Sequence, residues 1–467
     1  MVETRNYDLV IIGSGAAGFS AATQAKNLGV ARVALIERGT MWGTCVNYGC
    51  VPSKFLITVA EMVHARNNHH PGVRIDAGLD LRAVLAEKQA IIARSWEKKQ
   101  KSLVGTLGVE IIRGEASFLS PHEIRVGEVI LTAPRFIIAA GSSPSIPPVR
   151  GIESVRPMTS TEALSPEKIP PRLIVLGGRA LGLEFAELYA HLGSKVTLLQ
   201  RSPTIIPEEE MVIARVMTRY LRDEGIEIRT SVDLEGVERV GGEVIVSARI
   251  DGHPEQFRGD EILLATGRTP NTRDLQLEKA GVNVDRAGAV IVDQYLRTTA
   301  PHIWAAGDVL GEPQLEVAAK AGGVIAAENA IAGKNRIFDK ALLPHVIFTT
   351  PQVAVIGVTE AAARHAGLRT VTRCTPMDAL VKSSIIGDTR GIVKIVAEEG
   401  TERILGVHIC APLASEMIQE AVIAVRHRLT VDDLIGTFHV FPTLTEILWV
   451  CARSFRHKGA GDCGDGK

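Results

Sequence analysis

Three scarcities bound what this chain can be. Aromatic residues make up 4% of its 467 positions, only six residues are cysteine, and acid and base cancel to a net charge of −1. So small a net charge supplies no bulk field for nucleic acid or an anionic membrane, and neither partner is expected. Cysteines at 45, 50, 374, 410, 451 and 463, spread over this length, are no disulfide framework. No apolar run reaches the ~18 residues a membrane span needs. The opening Glu3-Thr-Arg-Asn-Tyr-Asp8 is charged and does not read as a secretory leader, so a cytoplasmic location is expected.

What is present is glycine, at 44 residues, within a composition that is 46% hydrophobic and 22% charged. That balance is globular, and abundant glycine suits an α/β protein with many tight strand-to-helix turns. At roughly 150 residues per domain, the length suggests about three domains.

The first of them opens with Asp8-Leu-Val-Ile-Ile12, a short apolar run fit for a buried parallel strand. It enters Gly13-Ser14-Gly15-Ala16-Ala17-Gly18. A small-residue helix follows over 19–28, and then a strand over 32–36 that ends in Glu37. Strand, glycine loop, helix, strand and acid form a dinucleotide-binding fingerprint. Gly13 makes the turn, Gly15 admits a pyrophosphate, Gly18 lets helix and strand pack, and Glu37 accepts ribose hydroxyls.

The stretch Gly43-Thr44-Cys45-Val-Asn-Tyr-Gly-Cys50-Val-Pro52-Ser-Lys54 comes next. A helix is expected from about Pro52 to His64. Cys50 then sits at its N-terminus, where the dipole lowers a thiol pKa, and Cys45 is freer to exchange. A zinc site wants two further ligands at close spacing, which the neighbourhood lacks. A pair of inert buried thiols fits the shaped, Gly-rich turn poorly. Residues 80–103 read as an amphipathic helix whose end, Lys98-Lys99-Gln-Lys101, is taken as a solvated face. His69-His70 reads as exposed loop.

A second βαβ unit starts about 160 residues later. Strand 172–176 leads into Gly177-Gly178-Arg179-Ala180-Leu181-Gly182, and strand 195–199 ends in Gln200-Arg201. Arg179 occupies the middle glycine position, where a side chain crowds a pyrophosphate. No acid follows the strand, and Arg201 suits a 2′-phosphate, so NADPH is favoured over NADH. Two dinucleotide sites in one chain imply a tightly bound flavin and a diffusing nicotinamide. Asp308 ends the stretch Ile303-Trp-Ala-Ala-Gly307, placed to hold a cofactor hydroxyl. After Asn335 the texture becomes α+β without a nucleotide signature.

Together GSGAAG, GTCVNYGCVPSK, LEFAE, ATGRTPN, AAGDV and FTTPQVAVIG identify the chain, by resemblance, as a member of the FAD-dependent pyridine nucleotide–disulfide oxidoreductases. The resemblance implies an α/β architecture of two Rossmann-like domains plus a C-terminal α+β dimerisation domain. Their expected bounds are 1–150 with 268–335 for FAD, 151–267 for NAD(P) and 336–467 for dimerisation. A homodimer with a shared active site is implied. Cys45 is then the interchange thiol, Cys50 the thiol against the flavin, and Lys54 pairs with Glu184. The loop from Gly13 through Ser14, Gly15, Ala16 and Ala17 to Gly18, with Glu37, Gly43, Thr44, Ala116, Gly141 and Asp308, is implied at FAD. Gly177, Gly182, Glu184, Gln200, Arg201 and Gly267 are implied at the nicotinamide dinucleotide.

Disulfide reductases of this family carry His-Pro-Thr-x-x-Glu near the C-terminus. Here the segment is His439-Val-Phe441-Pro442-Thr443-Leu-Thr-Glu446, so Phe441 stands at the acid–base position while Glu446 is kept. Phenylalanine moves no proton. A soft metal ion, bound directly by thiolates, needs none. Phe-Pro, Asp388-Thr-Arg-Gly391, Glu416 to Gln419 and Arg426 to Val431 resemble mercuric reductases, enzymes of mercury resistance that reduce Hg(II) delivered as a thiolate complex. Their tail carries metal-capturing cysteines, and Cys463 in the Gly-rich tail is the counterpart, with Cys45 and Cys50 as the receiving ligands. Cys451 is either a second tail ligand or a buried thiol. Ala180 and Thr443 stand where well-known mercuric reductases have pocket tyrosines. The alternatives are a same-fold reductase of another acceptor (another metal ion, a quinone, or a disulfide of the lipoamide or glutathione type) and a non-catalytic flavoprotein.

Overall fold

The computed structural model describes residues 3–64, 70, 72, 78–457 and 463. They form two compact units. The first comprises Met1–Phe55, Arg82–Ser145 and Gly267–Lys340, and the second comprises Leu56–Leu81, Ile146–Thr266 and Ala341–Lys467.

The first unit is built on a five-stranded parallel sheet in the order Ile303–Ala305, Phe136–Ile138, Leu9–Ile12, Val33–Glu37, Glu110–Arg113. Its central strand is buried throughout, as an apolar run with no alternation requires. The helix Ala16–Asn27 buries Ala17, Ala21, Ala22 and Ala25. Small side chains are needed because the helix Glu316–Ala332 crosses it closely: a Cβ on Gly323 would lie 2.2 Å from the Ala17 carbonyl oxygen. A four-stranded sheet, Glu3–Asn6, Val129–Thr132, Glu123–Val126 and Ala116–Ser120, completes the unit.

In the second unit a four-stranded parallel sheet runs Glu227–Arg229, Lys195–Leu199, Arg172–Leu176, Glu261–Leu264. A three-stranded antiparallel sheet spans 232–259. A five-stranded antiparallel sheet follows, in the order His345–Ile347, Gln352–Gly357, Ile404–Ala411, Ile392–Glu398, Thr370–Pro376. The helices Ala414–Arg426 and Glu446–Ser454 bury Met417, Ile418, Ile447 and Leu448 in the core that includes Val393, Ile395, Val407 and Ile409 of that sheet. Both nucleotide fingerprints therefore fold as strand–loop–helix, as their spacing predicts.

The two loops repeat one constraint. Gly13 and Gly177 have φ of +102° and +111°. A Cβ on Gly18 would lie 1.8 Å from the Gly13 oxygen, and one on Gly182 would lie 1.8 Å from the Gly177 oxygen. Neither contact leaves space for a methyl group, and both obstacles are backbone. Gly18→Ala and Gly182→Ala are each expected to destabilise the fold by about 1–3 kcal/mol or more. Denaturant unfolding of the holoenzyme, read with retained flavin, checks this; a loss under about 0.5 kcal/mol, the level of an ordinary surface substitution, would contradict it.

Candidate redox and dinucleotide site

The first glycine loop presents backbone donors to a ligand. The helix Ala16–Asn27 starts after Gly15 with no capping side chain and no acid in its first turn, so its first N–H groups are left for an anion. A Cβ on Gly15 would meet only Gly43 Cα, at 3.9 Å, whereas one on Gly43 would lie 2.6 Å from Gly15 Cα, so the two backbones pack closely where the cysteine stretch begins. Glu37 braces this loop. Its Oε2 accepts from Ser14 N (3.0 Å) and Ser14 Oγ (2.6 Å), and its Oε1 accepts from Gly39 N (2.8 Å). Ser14 Oγ accepts in turn from Trp42 N at 2.8 Å, which ties the loop to the start of the cysteine stretch. Thus Glu37, expected to receive ribose hydroxyls, already spends lone pairs on its own loop. Asp308 accepts from Ser142 Oγ at 2.7 Å, and burial raises its pKa. Arg268 donates to the same Ser142 through Nε (2.7 Å) and to its carbonyl through Nη2 (2.6 Å). Ala116 is buried, while Gly141 and Gly267, at positive φ, have no atom within 4 Å of a notional Cβ.

Cys45 lies in a short helix, Gly43–Asn47, and Cys50 opens the helix Cys50–His64. Gly49 joins them so tightly that a Cβ there would be 3.0 Å from the Thr44 oxygen and 3.2 Å from Cys45 Cα. Asn47 holds the first turn through Nδ2 to the Met41 and Gly43 carbonyls, at 2.7 and 2.8 Å. Both thiols are free. They share a hydrogen bond that pushes Cys45 up and holds Cys50 below the ordinary thiol range; burial adds to the first shift, and the Lys54 cation one turn along adds to the second. When the reduced pair gives up a proton, Cys50, at a helix N-terminus, therefore loses it before Cys45 does.

Around Cys45 stand groups the sequence did not point to. Glu316 raises the pKa of both thiols by its charge, and Lys320 pairs with Glu316 at 2.8 Å. Lys99 corrects the expectation of a solvated face. Its Nζ lies 3.8 Å from the centre of the Phe19 ring, and burial, then the like charge of Lys320, lowers its pKa. Neither lysine was found because each joins the cluster from a helix distant in sequence, with no local motif.

In the second unit, Arg179 takes the place of Gly15 as the residue before the helix Ala180–His191, with the same extended backbone. Its side chain is exposed and lies 3.5 Å from Glu208. Gln200 is buried and turned inward, its Oε1 accepting from Gly178 N at 3.0 Å, as Glu37 does in the first loop. Arg201 is exposed. Glu184 is buried and accepts from Phe348 N at 3.0 Å. Phe441 is 66% exposed, following Val440 at 74% and, three positions before it, Phe438, which is fully exposed. His439 is held by Glu420 at 2.8 Å and by the Thr437 carbonyl at 3.0 Å, with 7% of its side chain accessible. Glu446 begins the helix Glu446–Ser454.

The pyridine nucleotide–disulphide oxidoreductase family model matches residues 7–323, and that family's dimerisation-domain model matches residues 343–451. The chain belongs to this family. It is 39% identical over 458 residues to a mercuric reductase of Lysinibacillus sphaericus, covering 97% of this chain and 84% of that protein. It is also 39% identical to one of Streptomyces lividans, covering 96% of each. A dihydrolipoyl dehydrogenase of Thermus scotoductus is 38% identical over 461 residues, with 98% of each covered. Among solved structures, the HOCl-induced flavoprotein disulfide reductase RclA of Escherichia coli superposes with a TM-score of 0.86 at 30% identity, covering 96% of this chain and 99% of that one. Its Cu(II) complex superposes equally well.

Membership makes the chain an FAD-dependent oxidoreductase that uses NAD(P)H, with a domain built for homodimerisation. The uncapped helix start after Gly15, with no acid in its first turn, fits the diphosphate of that flavin. Among the described residues, no helix is long and apolar enough to cross a membrane.

One cysteine expectation needs correction, and one open alternative is decided in favour of the buried thiol. Cys463 is not a free tail thiol, because it is disulfide-bonded to Cys374. Cys451 is no second tail ligand, because it is wholly buried and burial pushes its pKa up to about 12. The rest of the expected mobile tail, 458–462 and 464–467, lies outside the described residues, as does His69. One further cluster, His64, His191 and Glu224, brings ligand-type atoms within 4.8 Å of one another. The two rings stack at 3.9 Å and 14°, so their in-plane lone pairs do not converge, and Arg390 occupies the other Glu224 oxygen at 2.7 Å. That arrangement is a buried charge network.

Because Cys50 owes part of its depressed pKa to Lys54, Lys54→Met in a Cys45→Ser background is expected to move the Cys50 thiolate transition to higher pH. The thiolate is present above its depressed pKa and is lost as pH falls through it. Thiolate ultraviolet absorbance against pH reads the shift; coincident curves would remove Lys54 as a cause.

Proposed function

We propose that the chain is an NADPH-dependent mercuric reductase, reducing thiolate-bound Hg(II) to Hg(0) through FAD and the Cys45–Cys50 pair. The balance is Hg(SR)2 + NADPH + H+ → Hg(0) + NADP+ + 2 RSH. The bound flavin supplies the two-electron link between the nicotinamide donor and the sulfur pair. Cys50, the more acidic thiol of the pair, accepts the soft cation first, and Cys45 gives up its thiol proton as it becomes the second ligand. The lysines flanking Glu316 offset the negative charge of incoming thiolate complexes. The expected Lys54–Glu184 pair, the expected three-domain division and a site completed across the dimer belong to this reading.

The observation that carries it is the Phe441 segment. An exposed phenylalanine stands where a disulfide reductase needs an acid–base group, and His439, two positions before it, is tied to Glu420. General acid–base catalysis contributes about 10²–10⁴-fold, so disulfide turnover is poor without it. Similarity to mercuric reductases over nearly the whole chain supports the same reading. A second reading, reduction of another soft or redox-active metal ion, is favoured by the likeness to RclA, whose Cu(II) complex is known.

Holoenzyme with excess small thiol is expected to oxidise NADPH on addition of Hg(II), more than with Cu(II) or lipoamide. No stimulation by Hg(II) would end the leading reading, and faster turnover with Cu(II) would move it to the second. Phe441→His is expected to raise lipoamide or glutathione-disulfide reduction by about 10²-fold; unchanged disulfide turnover would show that the missing acid–base group is not what limits it. Arg201→Ala is expected to raise KM for NADPH but not for NADH. Losing a charged hydrogen bond worth about 1.5–3 kcal/mol means about ten- to a hundredfold. Equal effects on both cofactors would take the 2′-phosphate role from Arg201.

A further inference from the structure

Cys374 sits on Thr370–Pro376, the edge strand of the five-stranded antiparallel sheet, opposite Lys394 of the neighbouring strand. It is nearly buried, while Cys463, bonded to it across a separation of 89 residues, is half-buried. The approach of the tail to this strand is fixed by the fold. Arg373, the neighbour of Cys374, donates to the Ser454 carbonyl at 3.4 Å and lies over the Phe455 ring at 5.4 Å. Arg456 is clamped by Glu402 at 2.9 Å and Asp432 at 3.1 Å. Cys463 follows His457 by six positions, a length that spans at most on the order of 20 Å when extended. That length is enough chain to bring the tail thiol to Cys374, as the bond between them shows.

The remaining cysteines isolate this pair. Cys410 and Cys451 are completely buried with raised pKa values, which makes them poor nucleophiles, and Cys45 and Cys50 form the pair already described.

We propose that Cys374 and Cys463 are a second redox-active cysteine pair. Closed, it masks the tail thiol; opened by small thiols, it offers two sulfurs to one soft metal ion. A thiolate attacks the more accessible Cys463 Sγ, forming a mixed disulfide and releasing Cys374 as the leaving thiolate. A second thiol attacks the outer sulfur of the mixed disulfide and frees Cys463. Net, two small thiols are oxidised to one small disulfide, and the protein gains two thiols carrying their two protons. The reverse exchange, with a small-molecule disulfide as oxidant, closes the pair. Binding Hg(II) to the opened pair displaces both protons and gives the two-sulfur coordination that one tail thiol cannot supply. The metal-binding half rests on the soft-metal reading above, whereas the thiol-opening half stands without it.

The test uses full-length, flavin-loaded Cys45→Ser/Cys50→Ser protein, in which the first pair is silenced. Alkylation and peptide mapping before any reductant should find Cys374 and Cys463 linked. After a small thiol and its removal, both should be alkylated, and the unalkylated protein should retain one Hg(II) per chain through gel filtration, against none for the closed form. Adding Cys374→Ser, or the tail change Cys463→Ser that leaves the folded core untouched, should abolish that retention. Separate free thiols before reduction would overturn the pair. A pair that maps and opens but holds no Hg(II), or retention that survives Cys374→Ser, would overturn the metal site. Wild-type NADPH oxidation driven by Hg(II) is read separately, so failure of the mercury reading and failure of the second pair give different results.

Discussion

The fold depends on two places where backbone meets backbone with nothing between. At Gly18 and at Gly182 the first turn of a helix lies against the carbonyl of the glycine that ends the preceding strand, too close for any Cβ. That contact fixes the helix axis relative to the sheet, and with it the direction of the unsatisfied N–H groups at the helix start. In the first unit the constraint extends outward through Ser14, whose hydroxyl receives Trp42 N and donates to Glu37. The cysteine stretch is therefore hung from the dinucleotide loop by hydrogen bonds, and the thiol pair inherits its position from glycine packing. A chain that lost the contact at Gly18 would lose both the phosphate cradle and the register of Cys45.

The second unit orders itself by charge as well as by packing. Lys394, almost wholly buried, bridges Glu210 at 2.9 Å and Glu360 at 2.7 Å. Burial alone would raise Glu210; the Glu360 N–H and the Lys394 ammonium outweigh it, and its pKa falls. Glu187, fully buried near Glu224, is pushed the other way, by burial first and then by its like-charged neighbour, although Thr350 N donates to both of its oxygens. Such networks contribute little net stability, because desolvation offsets attraction, but they penalise any arrangement that leaves one member unpaired. Their members are spread over residues 187–394, so they pin the nucleotide-binding segment of the second unit to its five-stranded sheet.

What could be read from sequence was whatever is local. Glycine spacing at 13–18 and 177–182, the strand runs that precede them and the turn from Gly43 to Lys54 are each complete within a few residues, and each folds as its pattern implies. Boundaries moved by a few positions: the helix expected from Pro52 starts at Cys50. Long-range pairings had no local mark. Cys374 gave no sign of its bond to Cys463. Lys99 read as one of three surface cations, because periodicity says which face of a helix is apolar but not that Phe19 waits opposite. Glu37 read as a group aimed at a ribose and Gln200 as one at the nicotinamide dinucleotide; both also turn back to brace the loops they follow.

Six chemically identical thiols thus have three environments, and environment decides what each is for. Cys410 and Cys451 sit in dry core, where ionisation is penalised, and they serve as small apolar side chains. Cys45 and Cys50 are joined by a hydrogen bond beside a helix start and a cation, which makes Cys50 the more acidic thiol of the two. Cys374 and Cys463 lie where an edge strand meets the end of the chain, with one sulfur sheltered and the other reachable. The sheltered partner favours recapture of the tail once it is released, and the reachable one gives small thiols a point of attack. Under the proposed soft-metal reading, the opened pair adds two ligands without drawing on Cys45 and Cys50.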